Sequence, residues 1–273
     1  MARYSVSSMF FHEYNIEEIF GFVKSAGCTS IEFWLETPDF WLDELPADKL
    51  KKIIDKYGSL KPITVHAPVL DLNPCSVNPD VAEISIRTAE KSINISEYID
   101  AEVLTVHPGR RTAKRPPDER DFKRLNRYIR RLETASEGKK VKVAIENMQP
   151  KINGLLCNPE SLYKLLKKEE WLYFTFDIGH ALSVSNEEAI RYIDLLIDRI
   201  ENVHVSASSN GIAHLPSKNN NNVGEIISCL FDYGYKKHLT IEIEDLNFEK
   251  KLSSLEKINL LKKEIEYIKK WIN

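Results

Sequence analysis

Short apolar runs rich in β-branched and aromatic residues alternate with longer amphipathic stretches along the whole chain. The runs expected as strands are Tyr4–Ser8, Ser30–Leu35, Pro62–His66, Glu102–His107, Val141–Asn147, Tyr173–Asp177, Asn202–Ser206 and His238–Glu244. The stretches between them repeat at helical period: Ile16–Ser25, Pro46–Tyr57, Val81–Ile99, Glu119–Ala135, Pro159–Lys168, Glu187–Ile197 and Val223–Tyr233. A last stretch, Leu252–Trp271, places Leu252, Leu255, Ile258, Leu261, Ile265, Ile268 and Trp271 at three- and four-residue steps. Its apolar face serves either the core or a homo-oligomer contact. Pro46 and Pro159 stand where first-turn prolines belong, and Asn186 is placed to cap the helix after it.

This alternation predicts an α/β fold with parallel strands. At 273 residues, with no linker-like break in composition, the expected architecture is a single (β/α)8 barrel, one domain spanning residues 1–273. A doubly wound open sheet shares the alternation. Composition removes other classes. With 42% hydrophobic residues, 10 Gly and 12 Pro, the chain is neither disordered nor fibrous. A net charge of −3 gives no global sign of a nucleic-acid partner. The N-terminal MARYSVSSMFFHEYN lacks the apolar run of a signal peptide, and no stretch is long and apolar enough for a membrane span. Cys28, Cys75, Cys157 and Cys229 form no CxxC pair and read as small buried hydrophobes of a reducing, cytoplasmic location.

A repeated polar pair inside the strands changes the picture. Thr64-x-His66, Thr105-x-His107, Ala144-x-Glu146, Thr175-x-Asp177, Asn202-x-His204 and Thr240-x-Glu242 each hold a small or polar residue, an apolar spacer and then a metal-capable side chain. Because strand side chains alternate faces, each pair shares one face and the spacer takes the other. In a closed barrel the pairs face the lumen and their second members reach the C-terminal rim. Three histidines and three carboxylates gathered there would be costly to bury unless a cation joined them. Mixed His and carboxylate donors suit Zn²⁺, Mn²⁺, Co²⁺ or Fe²⁺. Glu146 is central enough to bridge two ions. Glu244 shares the parity of Glu242, so a slip by one pair would exchange them.

These residues resemble the xylose-isomerase-like TIM barrel superfamily, which includes tagatose 3-epimerase-like sugar (phosphate) isomerases and epimerases and the endonuclease IV repair nucleases. The matching motifs are VHAP (Val65–Pro68), VHPG (Val106–Gly109), IEN (Ile145–Asn147), FDIGHA (Phe176–Ala181), VHVS (Val203–Ser206) and IEIE (Ile241–Glu244). For the epimerase branch the resemblance implies one metal held by Glu146, Asp177, His204 and Glu242, with His180 touching substrate. For the nuclease branch it implies a site of His66, His107 and Glu146, a second of Glu146, Asp177, His204 and Glu242, and a third built on His180 and an Asp-x-His pair. His214 keeps the histidine of that pair, but Ile212 stands where the aspartate belongs, which argues against a third ion.

The expected function is a divalent-metal-dependent sugar or sugar-phosphate isomerase or epimerase. Glu146 and Glu242 act as paired acid and base around a metal-stabilised enediolate. His180, Trp34, Glu32, His214 and Arg110 are expected to meet the substrate, with Glu36, Phe33, Trp41 and His12 as further contacts. The alternative is a zinc-dependent abasic-site nuclease, in which the basic run Arg110, Arg111, Lys114 and Arg115 holds backbone phosphates. That run reads equally as a solvated loop, and Lys218–Asn222 as a mobile loop tip. A metal-binding regulator without catalysis is a third reading.

Overall fold

The computed structural model describes residues 2–41, 47–218 and 220–272. Eight parallel strands form one sheet: β1 (Arg3–Val6), β2 (Glu32–Trp34), β3 (Thr64–His66), β4 (Val103–Val106), β5 (Lys142–Glu146), β6 (Tyr173–Asp177), β7 (Ile200–Val205) and β10 (His238–Ile241). Their order is β1-β10-β7-β6-β5-β4-β3-β2, and a parallel bridge from Ser7 to Glu32 joins the two ends. The sheet is therefore a closed (β/α)8 barrel and not an open doubly wound sheet.

Around it run α1 (Ile16–Ser25), α2 (Pro38–Trp41), α3 (Ala47–Lys56), α4 (Pro79–Tyr98), α5 (Glu119–Ser136), α6 (Pro159–Lys168), α7 (Ile178–Leu182), α8 (Asn186–Leu196), α9 (Asn221–Asp232) and α10 (Ser254–Lys269). Local chemistry accounts for the boundaries. Asn15, Asp118 and Ser253 each close a reciprocal cap with the acid three residues on, and Pro79 and Pro159 begin helices capped by Asn78 and Asn158. Ser185, not Asn186, caps α8: its hydroxyl accepts from the Glu188 N–H, and Asn186 is already helical. Asn221 and Asn222 are likewise the first turn of α9, not a loop tip. Pro46 lies outside the described residues.

Strand spacers such as Val65, Ile145, Phe176 and Val203 are fully buried beneath the helices. Cys28 and Cys75 are buried with them, whereas Cys157 and Cys229 are only half-buried, and all four are free thiols. The apolar side of α10 is spent on this layer through Leu261, Ile265 and Ile268, while Leu255 is 65% exposed. No helix among the described residues is long and apolar enough to cross a membrane.

The short helices α2 and α7 and one hairpin were not expected from the alternation. Ala207–Ser209 (β8) and Ile212–Leu215 (β9) pair antiparallel as a hairpin on the C-terminal rim. Its turn, Asn210–Gly211, has both φ values positive, the conformation this dipeptide favours in tight hairpins. The dipeptide was the available signal; its flanking strands are too short to show alternation.

Candidate metal centre

The lumen is polar well below its mouth. Thr105 and Thr175 hydroxyls meet at 2.9 Å, Thr240 donates to Asn202 Oδ1 at 2.9 Å, and Asn202 Nδ2 donates to Glu32 Oε2 at 2.6 Å. Above this layer stand the six side chains of the strand pairs. All but His107 are buried, four of them completely or within 1% of it.

Glu146 is the hub. Its Oε2 lies 2.9 Å from His107 Nε2 and 3.4 Å from His66 Nε2, while its Oε1 lies 3.4 Å from His204 Nδ1. One carboxylate oxygen thus faces each of two groups. Potential ligand atoms lie within 4.8 Å of one another in His66, His107 and Glu146, in Glu146, Asp177, His204 and Glu242, and in Asp177, His180 and His214. Ile212 supplies nothing and is 47% exposed, yet Asp177 gives His180 and His214 the carboxylate that position lacks. Glu242 belongs to the second group; Glu244 is exposed on the rim.

The donor set fits a divalent cation. His204 Nδ1 and Glu242 Oε2 approach to 2.9 Å, but neither atom makes a hydrogen bond of acceptable angle, and Asp177 Oδ2 is also buried and unpartnered. Close buried donors that do not bond one another are what ligands aimed at a shared point look like. Secondary contacts orient them. The carbonyls of Ala67 and Asn147 can only accept, so Nδ1 of His66 (2.8 Å) and of His180 (2.9 Å) carries the proton and Nε2 is left as a lone pair. Asp177 spends Oδ1 on the His180 N–H at 2.7 Å, which starts α7 and leaves Oδ2 for the site. Asn147 then locks this turn, accepting the Asp177 N–H and donating to its carbonyl.

The charges within the cluster act strongly on one another. Burial opposes ionisation of Glu146, but His107 and His204 hold its carboxyl well below the usual range. Burial pushes Asp177 up to about 6, only partly offset by His180 and His214. Burial also disfavours the charged form of His204, yet Glu242, Glu32 and Glu146 hold it well above the ordinary histidine value.

A cavity of about 860 Å³ opens over this cluster. His107, Glu146, His180, His214 and Glu242 form its floor, and Trp34 lies beside them, its ring stacked on His66 at 3.7 Å. His12 also lines it. Glu32, Glu36 and Phe33 are not among its lining residues. Glu32 is fully buried beneath the candidate ligands, with Oε1 3.0 Å from His204 Nε2. Glu36 accepts the N–H groups of Val69 and Leu70, which fixes the loop after β3. Phe33 packs outward against Phe20 and Phe40. Arg111 is ion-paired with Asp118 and Asp121, so it is neither a solvated cation nor a free phosphate contact. The side chain of Trp41 lies outside the described residues.

A family model for the xylose isomerase-like TIM barrel matches residues 20–271. The chain belongs to that family. An uncharacterized protein of Methanocaldococcus jannaschii, MJ1188, is 31% identical to this xylose isomerase-like barrel over 98% of each chain. A D-tagatose 3-epimerase-like protein of known crystal structure is 25% identical, with a TM-score of 0.73, covering 99% of this chain and 100% of the other. A probable endonuclease 4 of Staphylococcus saprophyticus is 25% identical over 68% of this chain and 65% of its own. Both branches of the family are thus represented among the relatives of this barrel.

Proposed function

We propose that the protein is a divalent-metal-dependent isomerase or epimerase acting on a ketose. The observation that carries this reading is the convergence of Glu146, Asp177, His204 and Glu242, whose donor atoms lie within 4.8 Å of one another, with Glu146 and Glu242 opening onto a roomy cavity. The full-length likeness to a D-tagatose 3-epimerase-like protein supports it. A cation such as Mn²⁺, Zn²⁺ or Co²⁺ held by these four would polarise a carbonyl and its neighbouring hydroxyl. Glu146 and Glu242 face the cavity from β5 and from the end of β10. One takes the proton alpha to the carbonyl and the other returns a proton to the opposite face. The acceptor ends protonated and the donor ionised, so the pair exchanges states through water or a substrate hydroxyl before the next turnover. His180, with Nδ1 tied to Asn147, presents Nε2 as an acceptor for a substrate hydroxyl. His214 lies beside it, ring centroids 5.0 Å apart, and Trp34 offers an apolar surface.

Glu146→Gln removes a ligand charge and a proton acceptor together. Turnover of a ketose panel with Mn²⁺ or Co²⁺ is expected to fall at least about a hundredfold, and an undiminished rate defeats the assignment. One observation favours the nuclease reading: His66 and His107 form a metal-capable group of their own with Glu146. Elemental analysis and a parallel assay on abasic duplex DNA separate the two. One firmly held ion with ketose interconversion supports the epimerase; three tightly held zincs with strand nicking support the nuclease.

A further inference from the structure

The loops after β4 and β5 are zipped together beside the metal centre. Arg110 and Gly154 form an antiparallel bridge, the Arg111 N–H donates to the Asn153 carbonyl at 2.9 Å, and Asn153 Nδ2 returns to the Arg111 carbonyl at 2.8 Å. Buried Asn73 pins the same backbone, donating to the Arg110 carbonyl at 2.9 Å and accepting the Arg110 N–H at 3.0 Å. Gly109 permits this: its φ is +79°, and a Cβ there would stand 2.8 Å from Asn73 Oδ1. Such fixed backbone is an unusual mount for solvated side chains, since loops without a task are normally free to move.

Two cations are carried on that mount. Arg110 and Lys151 both line the cavity and both are exposed, and neither has an ion-pair partner among the described residues. The carboxylates nearby are already committed: Asp118 to Arg111 and Arg120, and Asp121 to Arg111 and Arg124. Arg110 follows the candidate ligand His107 by three residues and lines the same cavity. Glu244, which follows β10 on the far side of the barrel, also lines the cavity and disfavours an anion on that side. At about 860 Å³, the cavity has room for a group beyond the sugar.

We propose that Arg110 and Lys151 form a phosphate subsite, which takes the phosphomonoester of a sugar phosphate whose keto end lies over the metal ligands. The subsite rests on the ketose reading for the identity of that far end. The planar guanidinium offers a two-pronged donor, and the lysine adds a second charge. A dianion is matched by two positive charges that line one cavity.

Calorimetric titration of the full, Mn²⁺-loaded protein tests this with three probes: inorganic phosphate, D-ribulose and D-ribulose 5-phosphate. Inorganic phosphate is expected to bind saturably and more weakly as salt rises. Arg110→Gln with Lys151→Gln is expected to weaken it at least about tenfold, with metal content unchanged by elemental analysis. The phosphorylated ketose is expected to be preferred in kcat/KM over the free one, and the double variant to erase about a tenfold part of that preference. Phosphate binding that is absent, or equal in wild type and double variant, overturns the subsite. So does abasic duplex DNA that competes at these residues where the sugar phosphate does not. Arg110-dependent phosphate binding without any ketose turnover leaves the subsite standing and sinks the epimerase reading. Equal turnover of both ketoses, unmoved by the variants, does the reverse.

Discussion

At the scale of single residues, the distinction between a ligand and its support is a matter of depth. Period-two alternation places Glu32 on the lumen side of its strand along with the histidines, and on that ground it reads as a substrate contact. Its carboxylate is fully buried between Asn202 Nδ2 at 2.6 Å and His204 Nε2 at 3.0 Å, the placement of a group that orients His204 from behind. Groups that orient a ligand from behind tune metal affinity by about 10- to 100-fold. Glu32→Gln is therefore expected to weaken Mn²⁺ or Zn²⁺ binding by that factor, with circular dichroism unchanged. Chelator competition measures it, and wild-type affinity in the variant refutes the positioning role. Lys257 is a sharper case of what linear order hides. It reads as a polar position on the last helix, yet it is fully buried, with its ammonium on Glu13 at 2.8 Å, Asp245 at 3.0 Å and the Phe10 carbonyl at 2.6 Å. Its partners come from the opposite end of the chain and from the loop after β10, so no local pattern announces it.

At the scale of elements, the strands and most helix starts were legible because their causes are local. A capping residue and its partner lie three positions apart, and a strand's face is set by its neighbours. Ser253 illustrates the first: its hydroxyl accepts the Glu256 N–H at 3.3 Å and donates to that carboxylate at 2.8 Å. Ser253→Ala is expected to cost about 1 kcal/mol. In a chain of this size that lowers the melting temperature by roughly 2–4 °C, measurable by calorimetry; an unchanged midpoint contradicts the cap. The β8–β9 hairpin escaped for the opposite reason. It is held to the rim by its neighbours, α7 above all, and by the Gln149 side chain on the Gly211 carbonyl at 2.9 Å, contacts that do not exist until the barrel closes. His214 on that hairpin adopts φ +58°, a conformation local preference would not select.

At the scale of the molecule, the barrel has two unlike ends. The C-terminal mouth gathers the candidate ligands, and the base is closed by a charged group that includes Arg3, Glu102 and His238. The hydrogen bond from His238, helped by Arg3, holds the Glu102 carboxyl below its ordinary range. A carboxyl lowered in the folded state stabilises above its unfolded value, near 4.3, and that contribution is lost as pH falls through the folded value. Melting temperature is thus expected to decline below about pH 5, less steeply in Glu102→Gln. Identical pH profiles for the two proteins count against the base contact. The sequence alone determined the number and succession of the barrel strands, the face each of them turns inward and the kinds of atom available at the rim, because alternation and side-chain chemistry are properties of neighbouring residues. Closure of β1 onto β2, the depth of Glu32 beneath the candidate ligands, the gathering of Glu242 and not Glu244 into the metal-capable group and the pairing of Arg111 with Asp118 and Asp121 were decided only by tertiary structure. Each depends on distances between segments far apart in the chain, which are set when the sheet curls shut around a close-packed interior.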